Sequence, residues 1–400
     1  MNATHPLAGP ILVGFAEALA GPEAAASLLA AGLPVVAFTR RGGRPALRRH
    51  PDVAVHEIAA PEQDAAAAVA QLRELARSVG AVALMPLDDP SVWLCDRVGR
   101  DAGLPVIGAS GEQAGLALDK RRQIELARAA GVPVLPTTVC TTHADALALD
   151  LFPLILKPAM ALEEQDGRLV RGEARVCADR AELERAVQAW DARGPLLAQP
   201  RVRGDGEGLF GIAVADGVRH WSAHRRVRMV NPQGSGSSAC ASAAPDPDLV
   251  ASGERMMAAA GWSGLFMLEF LREPGGAPWF IELNGRTWGS LALARRLGLE
   301  YPAWAALDAL GLAPVPTDRP GAEPDRPLVC RHAGREILHV VNVLRGPRSA
   351  ALDDWPSRWR TVRDVARIRR GERWYNWSAR HPSIFVADTV QTVRRAVTSR

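Results

Sequence analysis

Cysteine is scarce and unsuited to pairing: Cys95, Cys140, Cys177, Cys240 and Cys330 are five in number, far apart and without any C-x-x-C spacing. That pattern argues against a disulfide framework and a zinc module, and it suits a reducing cytoplasm. No run of about 18 apolar residues occurs, so no helical membrane span is expected. The opening stretch to Gly21 has no basic leader before its short apolar run, so no signal peptide is expected either. An excess of one charge sign is also missing, since 48 basic against 44 acidic residues leave a formal charge of +4. The basic stretch Arg358–Arg373 has neither zinc-finger spacing nor an aromatic-and-basic module, so a solvated surface is expected there and nucleic acid is not. No G-x-G-x-x-G follows the first strand-like run and no G-x-S-x-G elbow is present, which removes the usual signals for dinucleotide binding and for a serine nucleophile.

What is present suffices for two or three domains, with 48% hydrophobic residues over a chain of 400. Residues 1–113 alternate short apolar strands with Ala- and Leu-rich helical segments, the pattern of an open parallel α/β domain. The Asp88-Asp89-Pro90 turn after its third expected strand suits either a ligand at the sheet's carboxyl end or a helix cap. Residues 114–200 and 201–311 read as two subdomains of mainly antiparallel sheet with helices. Within them, a polar hairpin is expected around Asp166-Gly167, and a flexible Gly/Ser loop over Asn231–Ser242. A Pro-rich linker, 312–327, leads to a Trp- and Arg-rich extension, 328–400, that begins with an expected strand at Glu336–Leu344.

The densest chemistry lies between Gly261 and Ser290. Phe266–Phe270 and Trp279–Leu283 read as neighbouring strands, with Glu269 on the first, Glu282 on the second, and Asn284 and Arg286 just beyond. Carboxylates among large apolar neighbours are costly unless a cation or hydrogen bond compensates them. Two carboxylates and an amide are hard ligands suited to Mg²⁺, which usually also holds phosphate oxygens. Lys157 ends the apolar strand Phe152–Pro158, where it could either snorkel to water or meet an anion. On the expected strand Val218–Arg228, Arg226 and Arg228 share one face and Arg225 takes the other.

In order and spacing, these residues resemble the ATP-grasp fold of bacterial carboxylate–amine ligases over roughly residues 10–310. The resemblance rests on Lys120, Lys157, Gln199 with Glu207, Glu269 and the string Glu282-Leu283-Asn284-Gly285-Arg286. It implies an α/β pre-grasp domain followed by a two-subdomain grasp and a small C-terminal extension. It also implies that Lys120 and Lys157 hold ATP phosphates, that the Gln199-Pro200 hinge meets adenine and that Glu207 meets the ribose. Glu269, Glu282 and Asn284 would hold Mg²⁺, or Mn²⁺ in its place, and Arg286 and Arg225 would serve the transferred phosphoryl group. The segment Ala159–Ala174 departs from the pattern, having only two glycines where such ligases place a Gly-rich phosphate cover.

The reaction so implied is ATP-dependent: a carboxylate becomes an acyl phosphate, an amine attacks, and ADP, phosphate and an amide result. Carboxylate–thiol ligation and a non-catalytic, nucleotide-gated binding protein are the alternatives. Small-molecule carboxylate and amine substrates are the expected partners, with no nucleic acid and no membrane, and a homodimer is allowed. His220 and His224 are the candidate bases for the amine, each with a structural role as the competing reading.

Overall fold

The computed structural model describes residues 7–191, 194–232, 234–318, 326–347 and 355–398, so the linker expected at 312–327 lies partly outside the described residues. Its first unit is a parallel sheet in the order Ala54–Ile58, Val35–Arg40, Ile11–Gly14, Ala83–Pro86. The two strands Ile11–Gly14 and Ala83–Pro86 are wholly buried, as expected of parallel strands covered on both faces. Ala54–Ile58 is an edge strand with little burial, so its sequence carries no apolar alternation and it was not among the expected strands. The helix Asp89–Ala102 starts at Asp88, whose carboxylate accepts from the Ser91 N–H in a capping box. Asp88 is therefore the helix cap, and Asp89 is left for another partner.

The second unit is an antiparallel sheet in the order Thr138–Cys140, Leu196–Pro200, Leu154–Pro158, Arg175–Cys177. From it projects the hairpin Glu163–Gln165 with Arg168–Val170. Its two-residue turn is the one expected: Asp166 and Gly167 have φ of 50° and 74°, a left-handed pair that fits the twist of the flanking strands.

The third unit is a seven-stranded sheet in the order Pro278–Asn284, Gly264–Arg272, Asp205–Val214, Gly217–Asn231, Ser235–Ala243, Val329–Arg331, Arg373–Trp374. Two expectations fail here. The Gly/Ser segment is no loop but the strand Ser235–Ala243, paired to Gly217–Asn231 on one side and to Val329–Arg331 on the other. Small side chains suit it because Arg226 and Arg228 project from the adjoining strand. The segment expected as a strand at Glu336–Leu344 is part of the helix Ala333–Arg345, which buries Glu336, His339 and Val343 at helical spacing. One hydrophobic cluster runs from the parallel sheet (Ile11, Val13, Met85) through Trp288 and Tyr301 to Phe210, Ile212 and Met267 of the large sheet. That shared core fixes the parallel sheet against the strands that carry the acidic residues.

Candidate active site

Antiparallel register sets Glu269 directly opposite Glu282 and Met267 opposite Asn284. Arg226 donates to Glu269 at 2.7 Å, and Asn284 donates its amide nitrogen to Glu282 at 3.1 Å. Burial pushes the Glu269 carboxyl up, Arg226 pulls it down and Glu282 adds to the rise, leaving it above the usual carboxylate range. Glu269 stays above its usual range although Arg226 bonds it, and a divalent cation between the two facing carboxylates would offset that burial. Among the described residues no group of three or more His, Cys, Asp or Glu forms a metal cage. The donor set suits Mg²⁺ that takes further oxygens from phosphate.

A residue that the sequence gave no reason to select locks this strand in place. Gln123, 1% exposed, accepts from the Leu283 N–H at 2.9 Å and donates to the Leu283 carbonyl at 3.1 Å. It also donates to the Leu116 and Ala117 carbonyls. Leu283 lies between Glu282 and Asn284, so this amide ties both to the helix Lys120–Ala129.

That helix begins with Lys120, whose N–H donates to the Ala159 carbonyl at 2.8 Å, two residues beyond Lys157. The two lysines and Glu282 act on one another: burial and then Lys120 depress the Lys157 ammonium to about 8, with Glu282 opposing the fall. Lys120 and Lys157 are the only lysines in the chain, which otherwise uses arginine for its basic groups. Arg286 donates to Asp89 at 2.7 Å, and Asp89 also accepts from Arg171 at 2.7 Å. Burial would raise the Asp89 carboxyl, but Arg286, then Arg171 and Lys120 among others, hold it below its usual range.

A cavity of about 250 Å³ opens beside these groups, between Ala18–Ala20 with Leu87 of the parallel unit and the face bearing Glu269, Glu282 and Asn284. Arg226, Arg286 and Arg335 all line it. Arg335 comes from the helix Ala333–Arg345; its guanidinium donates to the Ser237 carbonyl at 3.0 Å and forms no ion pair among the described residues. Ser237 and Gly236 line the cavity from the strand that had been expected as a flexible loop. His224 also lines it, bonded through Nδ1 to Ser290 at 2.7 Å, while its buried Nε2 lacks a partner among the described residues. Burial, then Arg226, lowers the imidazole to about 3, so it is neutral. His220 instead meets the Pro316 carbonyl at 2.6 Å, away from this cavity.

Two expected site residues take other places. Arg225 is exposed on the opposite face of its strand, and Arg226, two residues from His224, is the arginine that faces the carboxylates. Glu207 also lies on the far face, where Arg272 grips it at 2.9 and 3.0 Å and bridges to Asp246 at 2.9 Å. Its neighbour Gly208, not Glu207, stands opposite Glu269. Gln199 lies in the strand Leu196–Pro200, where it is buried and donates its side-chain amide to Thr137 at 2.8 Å.

No protein-family model and no curated protein matches the chain. Solved structures do. An L-amino acid ligase from Bacillus licheniformis is 18% identical with a TM-score of 0.62, covering 80% of this chain and 78% of that one. The biotin carboxylase domain of the Hydrogenobacter thermophilus 2-oxoglutarate carboxylase, seen with MgADP and bicarbonate, is 18% identical with a TM-score of 0.64, over 80% and 73%. An N5-carboxyaminoimidazole ribonucleotide synthetase bound to ADP is 13% identical with a TM-score of 0.59, over 84% and 85%. At these identities the likeness is one of architecture, and it agrees with the topology described above: the chain has an ATP-grasp-like fold.

Proposed function

We propose that the protein is an ATP-dependent carboxylate–amine ligase working through an acyl phosphate. The observation that carries this reading is the facing pair Glu269 and Glu282 with Lys157 acting on Glu282, Lys120 next to Lys157, and Arg286 acting on both carboxylates. Lys120 and Lys157 would neutralise phosphate oxygens as point charges. Glu269 and Glu282, with Asn284, would hold Mg²⁺, which supplies charge neutralisation and alignment of the β- and γ-phosphates. Arg226 and Arg286 would steady the carboxylate as its oxygen attacks the γ-phosphorus. The bond from that phosphorus to the bridging oxygen of ADP then breaks, and the amine displaces phosphate from the acyl carbon.

Arg335 would receive an anionic group of the acceptor, because it is the cavity's guanidinium without an acidic partner among the described residues. Ala18, Leu19, Ala20 and Trp288 form the apolar wall opposite. Small acids and amines that carry a second carboxylate, amino acids among them, fit that division of charge. The L-amino acid ligase with this fold is consistent with the choice. A homodimer and a cytoplasmic setting remain parts of the proposal.

The test is product analysis with ¹⁸O-labelled carboxylates and a panel of amines. ADP, labelled phosphate and an amide are expected. AMP with pyrophosphate would reject the acyl-phosphate route. Phosphate released without any dependence on carboxylate would reject the ligase.

A further inference from the structure

In the nucleotide site proposed above, the segment after Lys157 would cover the phosphates, and it holds only two glycines, Gly167 and Gly172. Gly167 forms the left-handed corner of the hairpin, and its carbonyl accepts from the Ala65 N–H at 2.8 Å. Gly172 packs on the Pro158 ring so closely that a Cβ there would lie 2.3 Å from it. The two glycines stand five residues apart, so the segment offers no run of glycine N–H groups to wrap an anion. The segment is nevertheless well anchored: the Leu169 N–H donates to the Pro61 carbonyl at 2.8 Å, and Leu169 is buried in the core. Two residues later Arg171 reaches across to Asp89 at 2.7 Å, and Asp89 holds Arg286 on its other oxygen at 2.7 Å.

Arg286, Arg171 and Lys120 thus surround the single carboxylate of Asp89. Arg286, which shares Asp89 with Arg171, is also acted on by Glu282, so the Arg171–Asp89–Arg286 chain runs from the hairpin segment to the acidic strands. Arg171 keeps 62% of its side chain exposed, so its remaining N–H donors are open to a second anion.

We infer that Arg171 is the phosphate-cover residue of this protein: a guanidinium donated from the hairpin segment replaces glycine backbone N–H groups over the nucleotide's terminal phosphates. Asp89 is the positioning residue that sets Arg171 beside Arg286. Arginine suits the task because its planar fork can bond Asp89 with one edge and a phosphate with the other. The inference rests on the nucleotide site proposed above, but it needs neither the amine nor the acid.

Calorimetry with MgATP and with AMP separates the two. Arg171→Met should weaken MgATP binding about tenfold while leaving AMP, which lacks the terminal phosphates, within about twofold of the wild type. Arg171→Lys should recover part of the MgATP affinity by restoring the charge. Unchanged MgATP affinity in Arg171→Met overturns the proposal. An equal loss for MgATP and AMP also overturns it, because the effect would then be on the folded cleft as a whole. Failure of the wild type to bind MgATP would reject the nucleotide site and this inference together. Selective loss of MgATP binding in a protein that makes no amide would leave Arg171 in its role and reject only the ligase reading.

Discussion

Lys157 is half-buried with a second cation nearby, so its charge is conditional. With its ammonium lowered to about 8 by burial and Lys120, it loses its proton well below an ordinary lysine. The folded state then binds fewer protons than the unfolded chain between about 8 and the ordinary lysine value, so this group's contribution to stability improves as pH rises through that window. Nucleotide binding should run the other way. MgATP affinity is expected to fall as pH rises from about 7 to about 9, with proton uptake on binding near the upper end. Calorimetry in buffers of different ionisation heat measures that uptake, and binding with no proton exchange would remove Lys157 from the phosphate site. The arginines give a second test at this scale. Arg226→Met should reduce turnover by about a hundredfold, whereas Arg225→Met should leave it within about twofold. Equal losses would mean that the face assignment is wrong. Alternation along the strand already separated Arg225 from Arg226 in the sequence. Which of the two faces turns toward the carboxylates depends on pairing with Asp205–Val214 and on that strand's own pairing with Gly264–Arg272, and neither is written locally.

At the scale of elements, the metal strands and both lysine-bearing segments were legible because apolar runs and charged exceptions stand close together in sequence. The supports were not. Gln123 lies 160 residues from Leu283, and nothing in its helix distinguishes it from a solvent-facing glutamine. Replacing it by alanine would orphan both backbone groups of Leu283 in a buried place, at a cost of about 1–3 kcal/mol per group. Gln123→Ala should therefore lower the denaturant midpoint and weaken metal-dependent turnover together. A stable variant with normal activity would show that the strand holds its position without this amide. The helix Ala333–Arg345 was misread because Ile337, Val340, Val341 and Val343 have strand propensity. The polar residues buried beside them settle the matter, since Glu336 accepts from Arg228, Arg331 and Ser238, and His339 meets the Met229 carbonyl. Such partners are tertiary, and a local reading of the sequence does not contain them. The strand Ser235–Ala243 failed for the complementary reason, as its small polar residues mimic a loop until two flanking strands supply their hydrogen bonds.

For the whole molecule, the consequence is that the C-terminal region is built into the wall of the candidate cavity. Val329–Arg331 covers an edge that the large sheet would otherwise present to water, and the next helix carries Arg335 into the cavity. Glu336, 2% exposed, closes the arrangement by pairing with Arg228 and with Arg331, which is itself 1% exposed and bonded to Glu372. Losing one partner of a buried ion network costs about 3–5 kcal/mol, against a total stability of about 5–15 kcal/mol for a typical domain. A chain ended after residue 311 would keep every lysine and every metal-strand carboxylate. It would also leave Arg228 without its carboxylate and the strand Ser235–Ala243 as a bare edge prone to pair with other chains. Such a truncation should be largely insoluble or melt at least about 10 °C lower, and Glu336→Gln in the full chain should reproduce part of that loss. Thermal melts and sedimentation check both. A soluble truncated protein with the full-length melting temperature would show that the edge and the ion network are dispensable. If it also retained carboxylate-dependent ADP release, Arg335 would be excluded as the acceptor's anchor, and the anionic group would have to be held by Arg226 or Arg286 instead.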